Sequence, residues 1–502
     1  MVNYDVIVIG AGNGGLAAAA TLTKKRIKTL VLEKNVVPGG AATSFRRGRF
    51  EFETSLHEMA SVGTEDNPGT VRKMFNSWGI DINWIKEDTL FRVITDEYDV
   101  IMPVGVENFC TAIEKEVPGS YDSVKTMFQY INKLNNAVGY LSTGKVDPQV
   151  LMTEHIDFLR MASHSVDECL NAFGIPEKAQ NIIKTYWPYL GTPTDTIDFA
   201  HYAMMFERYV GCHPHIPSYT SHELSTAIAT KIIENGGEIW YNSEVEEILV
   251  KDGVAYGVRV NGKEIHAKCI IANCMPDTVY GKLIKDKSVP VEAYKLTNAR
   301  KPSITFFTTY VGLNRDYKDL GIKDYSVFLF DSSNTKVQDE SCNNIDTSYI
   351  IANCLNVLNP NASEPNTSIM YFTTVVKEEA WKDFSEEEYI KIKNRVAKRM
   401  IETYEMKVGV EIMPYIEEIV TSGPPTFARY LNTPNGTPYG YMMLDFDTMI
   451  ARIMNSSKEQ YIKNLYLTGA SGERALGYSS TYAHGDSVGR KVFKEVMKDE
   501  RL

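Results

Sequence analysis

Asp5-Val6-Ile7-Val8-Ile9-Gly10-Ala11-Gly12-Asn13-Gly14-Gly15 opens the chain almost at once and decides its fold. The first five residues are an apolar, β-branched run, as expected of a strand buried on both faces of a parallel sheet. The next six fit G-x-G-x-x-G at Gly10, Gly12 and Gly15. Residues 16–22 are Ala-rich and helical, and a second strand, 28–32, ends at Glu33, which lies 18 residues after Gly15. Gly10 permits the tight turn, Gly12 lets the backbone approach a pyrophosphate, and Gly15 lets helix and strand pack closely. The helix start, with Asn13 and Gly14, turns free N–H groups and a positive dipole toward phosphates. Glu33 can accept hydrogen bonds from the adenosine ribose, and its charge repels a 2′-phosphate. A glycine-rich turn alone can be purely steric. Strand, helix, second strand and terminal acid in register specify a dinucleotide site.

A plain dehydrogenase would continue from its acid into another βα unit. Here Glu33-Lys34 is followed by Pro38-Gly39-Gly40-Ala41-Ala42-Thr43, then Phe50-Glu51-Phe52-Glu53. Two glycines after the acid make a backbone-only surface that can lie against the rest of a dinucleotide, so the cofactor expected is FAD. No second G-x-G-x-x-G marks a nicotinamide domain, and no NAD(P)H site is expected.

Composition narrows the classes. The 502 residues carry a net charge of −11, which disfavours nucleic acid and gives no pull toward anionic lipid, while leaving peripheral membrane contact through apolar residues open. No stretch reaches the roughly 18–20 apolar residues of a membrane-spanning helix. Met1 runs into the first strand without a basic leader, and the seven cysteines are scattered and odd in number, so the expectation is a cytoplasmic protein with reduced thiols. Cys269 and Cys274 match the spacing of a redox pair. Their odd offset on a strand, however, sends the thiols to opposite faces.

Glu33-Lys34, Pro38-Gly39-Gly40, the Phe-acid pair and Ser55-Leu56-His57 together resemble the flavin amine-oxidase superfamily. Within it, the likeness is to the branch of phytoene desaturases, carotenoid cis–trans isomerases and retinol saturases. Many members carry arginine after the double glycine; Ala41 here points toward the saturase and isomerase members. The resemblance continues through the helix at 225–234, the Gly236-Gly237 turn and the strands near 239–260, where the backbone of Val245 would contact adenine. It resumes in the far segment: Gly469, Ala470 and Ser471 would lie near the ribityl chain, and Gly477, Tyr478, Ser479 and Ser480 under the ring. An acid often follows the glycine closely in the family, whereas Glu473 is the nearest carboxylate here. Arg429 would either face the cofactor or pin its own loop.

The fold implied is α/β: an FAD-binding Rossmann-type, glutathione-reductase-like domain from 1–70, 215–290 and 425–502. A discontinuous α+β substrate domain of mixed sheet plus helical lid would come from 71–214 and 291–424. In the latter, Val124, Phe128, Ile131, Leu134, Val138 and Leu141 recur at helical spacing and read as core. The aromatic run from Tyr186 through Pro188, Tyr189 and Leu190 to Met204, Met205, Phe206 and Tyr209 is denser than a core helix needs. Aromatic and methionine walls suit a long flexible apolar ligand. Residues 303–311 alternate as a strand, 368–376 read as another, and 386–404 as an exposed helix.

Flavin chemistry at N5 needs few side chains, but a moving proton needs a positioned acid or base. His57, His213, His215 and Tyr478 are the candidates, with Tyr482 and His484 behind them. His57 stands where retinol saturases also carry a histidine. The pair His213 and His215 could serve proton delivery, a metal or the loop alone, and no metal site is expected. His155, His164, His201, His222 and His266 read as structural or surface residues. Three functions compete: a flavoenzyme that desaturates, saturates or isomerises double bonds of a long polyene lipid; an amine oxidase on the same fold; and a prenyl-binding carrier of the Rab GDP-dissociation-inhibitor type. A carrier has no reason to keep a pyrophosphate cradle, which disfavours the third.

Overall fold

A computed structural model describes residues 3–141, 146–285, 289–382, 384–444, 446–455, 458–470 and 477–499. Ser471 and Glu473, named above for the ribityl chain, fall outside the described residues.

The opening strand, Tyr4–Ile9, lies at the centre of one of two seven-stranded sheets. It runs parallel to Thr29–Leu32 on one side and to Lys263–Ala272 on the other. Glu238–Trp240 extends the sheet beyond Thr29–Leu32, and Leu465–Leu467 pairs with Lys263–Ala272, both in parallel. The long strand Lys263–Ala272 also turns antiparallel against Val254–Val260, which pairs with Val245–Lys251. Alternation sorts the opening strand as period two requires: Val6 and Val8 meet Ala17, Leu224 and Val492, whereas Ile7 and Ile9 meet Val258, Val279 and Tyr280. Both faces are covered, which explains a run without polar residues.

The Ala-rich helix, Asn13–Lys24, buries Ala17 to Ala20 completely. Small side chains let the C-terminal helix, Tyr478–Asp499, lie against it, and Thr21 Oγ1 donates to Asp486 Oδ1 at 2.6 Å. The two ends of the chain therefore meet. The expected helix at 225–234 begins earlier, as Ser221–Glu234, because the Ser221 N–H donates at 2.6 Å to the carboxylate of Glu53. That cap comes from a distant residue, so local sequence does not announce it.

The second sheet is mixed, in the order Ile416–Ser422, Thr305–Leu313, Ser368–Val376, Ile350–Cys354, Ser326–Leu329, Thr89–Ile94, Asp99–Pro103. Its last two strands come from the segment 71–214, in which no individual strand was read from the sequence. They join by parallel pairing of Thr89–Ile94 with Ser326–Leu329, a contact of long sequence separation. Strand 303–311 is observed as Thr305–Leu313 with eight of nine residues buried, because both faces are covered. Phe307, Val311 and Leu313 face Val396, Met400 and Ile401 of the helix Glu386–Val408. The intervening Phe306, Thr308 and Tyr310 face a cavity. The helix Tyr121–Leu141 buries its apolar stripe in the core, as expected. None of the seven cysteines is in a disulfide, and Cys269 and Cys274 pack into different cores.

Candidate active site

The cavity between the two sheets measures roughly 1550 Å³. A single small-molecule pocket is typically about 300–1,000 Å³, so this one has room for a dinucleotide and a second ligand end to end. Its first part is formed by Gly10, Gly12, Asn13 and Gly14, with Glu33, Lys34, Gly39, Gly40, Ala41 and Val245. Gly469, Ala470, Gly477, Tyr478, Ser479 and Ser480 close it from the other end of the chain. Its far part is walled by Tyr189, Leu190, Met204, Met205, Tyr209, Phe306 and Tyr439.

Local geometry fits a dinucleotide. A Cβ at Gly14 would meet the backbone of Gly469 at 2.8 Å, so the two glycine loops touch and hold a backbone-lined slot. The helix that starts at Asn13 has no side-chain cap, which leaves its first N–H groups for a phosphate. Asn273 stands beside both loops, and its N–H donates to Ile9 at 2.8 Å; nothing in its sequence context marked it. Glu33 is 5% exposed and accepts from the N–H of Ala11 at 2.7 Å and of Asn35 at 2.8 Å. One lone pair on each carboxylate oxygen stays available for ribose hydroxyls.

Four residues expected at or near the site lie outside the lining: Gly15, His215, and Tyr482 and His484, which are buried in the C-terminal helix. Gly15 sits beneath the loop, where a Cβ would come within 2.0 Å of Gly10 O, so its part is packing. His215 is 3% exposed, in the short strand His215–Pro217, and its Nδ1 is 2.8 Å from His213 O. His213, in a left-handed conformation ahead of the strand, lines the cavity, whereas His215, within the strand, turns into the protein. Lys34 lines the cavity, but its ammonium donates to Arg429 O at 2.9 Å, and Arg429 is absent from the lining. Among the described residues no group of three or more His, Cys, Asp or Glu is placed to hold a metal.

The segment Thr54 to Glu58 divides the two parts of the cavity and is clamped from the mixed sheet. Tyr310 OH donates to Thr54 O at 2.8 Å, Tyr371 OH to Leu56 O at 2.9 Å, and Tyr325 OH to His57 O. From the other side, Glu53 accepts from Ser55 N, Leu56 N, Ser221 N and Ser221 Oγ within 3.0 Å. Tyr478 OH meets Ser55 Oγ at 2.8 Å, and burial pushes its phenol well above its ordinary range. Tyr478 thereby ties the start of the C-terminal helix to the segment at Ser55. His57 is half-buried between Tyr189 and Tyr371, with Nδ1 lacking a hydrogen-bond partner, and desolvation pushes it down to about 4. It is neutral at neutral pH. Glu53→Ala removes four bonds to a buried carboxylate at once and should destabilise the protein by about 3 kcal/mol or more. Urea unfolding followed by tryptophan fluorescence measures this.

The aromatic run divides between core and wall. Tyr186, Trp187, Tyr202 and Phe206 are almost fully buried, whereas Tyr189, Met204, Met205 and Tyr209 reach the cavity. His201, read as structural or surface, lines it too.

Residues 8–78 match the family model of the NAD(P)-binding Rossmann-like domain, the segment that holds the glycine loop and Glu33. The chain is 26% identical over 474 residues to prolycopene isomerase of Daucus carota, covering 89% of this chain and 74% of that protein. It is 23% identical over 515 residues to all-trans-retinol 13,14-reductase of Macaca fascicularis, covering 93% of this chain and 82% of that protein. The fold matches cyclohexylamine oxidase from Brevibacterium oxydans at a TM-score of 0.59 and 12% identity, over 98% of this chain and 99% of that one. The resemblance drawn from the sequence is borne out in superfamily and branch. No helix among the described residues is long and apolar enough to cross a membrane.

Proposed function

We propose that this chain, which stands in the carotenoid isomerase and retinol reductase branch of the flavin amine-oxidase superfamily, is an FAD-dependent enzyme acting on carbon–carbon double bonds of a long polyene lipid. The observation that carries the reading is one continuous cavity. It joins a dinucleotide cradle to an aromatic and methionine wall past the segment Thr54 to Glu58. Gly12, Asn13 and Gly14 would hold the pyrophosphate, Glu33 the ribose, and Val245 the adenine. Gly469 and Ala470 would lie along the ribityl chain, with Gly477 to Ser480 at the ring edge. Bound there, FAD supplies hydride transfer at N5.

The chain's own residues do the rest. The clamped segment fixes the height at which a ligand lies over the ring. Tyr189, Met204, Met205, Tyr209 and Phe306 shed water around an extended hydrocarbon and give contact area without asking for polar partners. His57 and His213 are among the polar groups presented to it.

The test is a reoxidation panel. The photoreduced protein is mixed anaerobically with polyenes, and the oxidised protein is mixed in air with primary amines; flavin absorbance, lipid composition and peroxide are followed. Retinoids or carotenoids should be converted, with amines inert. Turnover of amines with peroxide release, and none of polyenes, would replace this reading by an amine oxidase.

A further inference from the structure

Two buried carboxyls beside the cavity are left unused by the cofactor. Three short extended segments run side by side there. Met59 and His215 exchange backbone hydrogen bonds of 2.8 and 3.1 Å, Lys86 pairs with His215, and Glu87 N–H donates to Pro214 O at 3.0 Å. This places Glu58 and Glu87 in one neighbourhood from distant points of the chain. Glu58 lines the cavity at 5% exposure, and Glu87 behind it is at 0%. Glu58 Oε1 accepts from Tyr189 OH at 2.8 Å, but Oε2 has no hydrogen-bond partner, and neither oxygen of Glu87 has one. An ionised carboxylate so poorly solvated is costly, whereas a neutral acid is tolerated. Desolvation pushes Glu58 up to about 8, and pushes Glu87, which also feels Glu58, well above the carboxylate range. The other groups facing the pair are Tyr186, Tyr189, Tyr209, Tyr325, Tyr371 and the neutral His57.

We propose that Glu58 is an acid–base catalyst of double-bond isomerisation, passing a proton to and from one carbon of the polyene in the cavity, with Glu87 as a positioning residue behind it. This rests on the polyene reading above. The Glu58 O–H bond breaks as a C–H bond forms from the alkene π pair, leaving a delocalised cation and a carboxylate. Rotation follows about the bond that has lost its double character. The carboxylate then takes a proton back from the same carbon and the π bond re-forms, with no net change in electrons. The ring faces of Tyr189 and Tyr209 suit the cation. Glu87 keeps its own proton, so the Glu58 anion faces a neutral neighbour. His57, at about 4, has no extra proton to give near neutrality, and Glu58 has one up to about pH 8.

The experiment compares wild-type holoprotein with Glu58→Gln and Glu58→Asp on prolycopene and all-trans-retinol in D₂O, reading isomers by chromatography and deuterium by mass spectrometry. Wild type should isomerise a probe with solvent deuterium on one carbon, at a rate level below about pH 8 and falling above it, as the proton on Glu58 is lost. Glu58→Gln should keep its flavin spectrum and lose rate and label about 100-fold or more, and Glu58→Asp should restore part of both. Wild-type rate and label in Glu58→Gln would overturn the proposal and leave the polyene reading standing. If wild type converts neither probe, the polyene reading fails, and infrared pH-difference spectra decide on Glu58 alone. A protonated-carboxyl band should disappear near pH 8 in wild type and be missing from Glu58→Gln; identical spectra would overturn the proposal. Stability gives an independent sign. A carboxyl raised from 4.5 to about 8 on folding makes wild type lose stability as pH rises through that interval, and Glu58→Gln should lose measurably less.

Discussion

Gly14→Val should yield a protein that folds its mixed sheet but purifies without flavin. A Cβ at Gly14 would lie 2.8 Å from both Cα and N of Gly469 and 2.9 Å from Asn273 Oδ1, and each of the first two is backbone that cannot swing aside. Accommodating valine must push the glycine loop and the Gly469 turn apart, at the point where the first and last segments of the chain meet. The slot would lose its shape just where N–H groups would converge on a pyrophosphate. Flavin absorbance should fall to background and reconstitution with excess FAD should fail. Gly281→Ala is the matched control: its Cβ meets nothing within 4 Å, so flavin content and activity should stay at wild-type values.

What was legible in the sequence followed the range of the interactions involved. Gly10, Gly12, Gly14, Gly15 and Glu33 lie within one βαβ unit, so motif, spacing and role could be read together. The opening strand, the Ala-rich helix and the strand Ser368–Val376 announce themselves by composition and period. The strands Thr89–Ile94 and Asp99–Pro103 did not, because their place is set by pairing with Ser326–Leu329 far along the chain. His213 and His215 read as equals, yet the left-handed turn at His213 puts one at the cavity and the other, in the following strand, behind it. Glu58 and Glu87 look like ordinary surface acids in sequence. Only the side-by-side arrangement of three distant segments buries them, and no local signal carries that.

Glu33→Ala should weaken FAD binding roughly 100-fold, about 3 kcal/mol, from the loss of charge-assisted hydrogen bonds to the ribose. The carboxylate also accepts from Ala11 N–H and Asn35 N–H, so its removal leaves two loop donors without their partner and loosens the glycine turn that faces the phosphates. Both effects act on the cofactor, and neither touches the far wall. Fluorescence titration of apoprotein with FAD should show the weaker binding, while the protein saturated with FAD keeps most of its turnover number. A variant that bound FAD as tightly as wild type would remove Glu33 from the ribose and leave it a brace for the loop.

The central claim is that the two ends of this chain close on one FAD. It is tested most directly by the absorbance spectrum of the purified protein and by mass spectrometry of what denaturation releases. The account predicts a yellow protein releasing one FAD per chain, lost in Gly14→Val and retained in Gly281→Ala. A colourless protein that FAD cannot reconstitute, or one that releases a nicotinamide dinucleotide in its place, would contradict it.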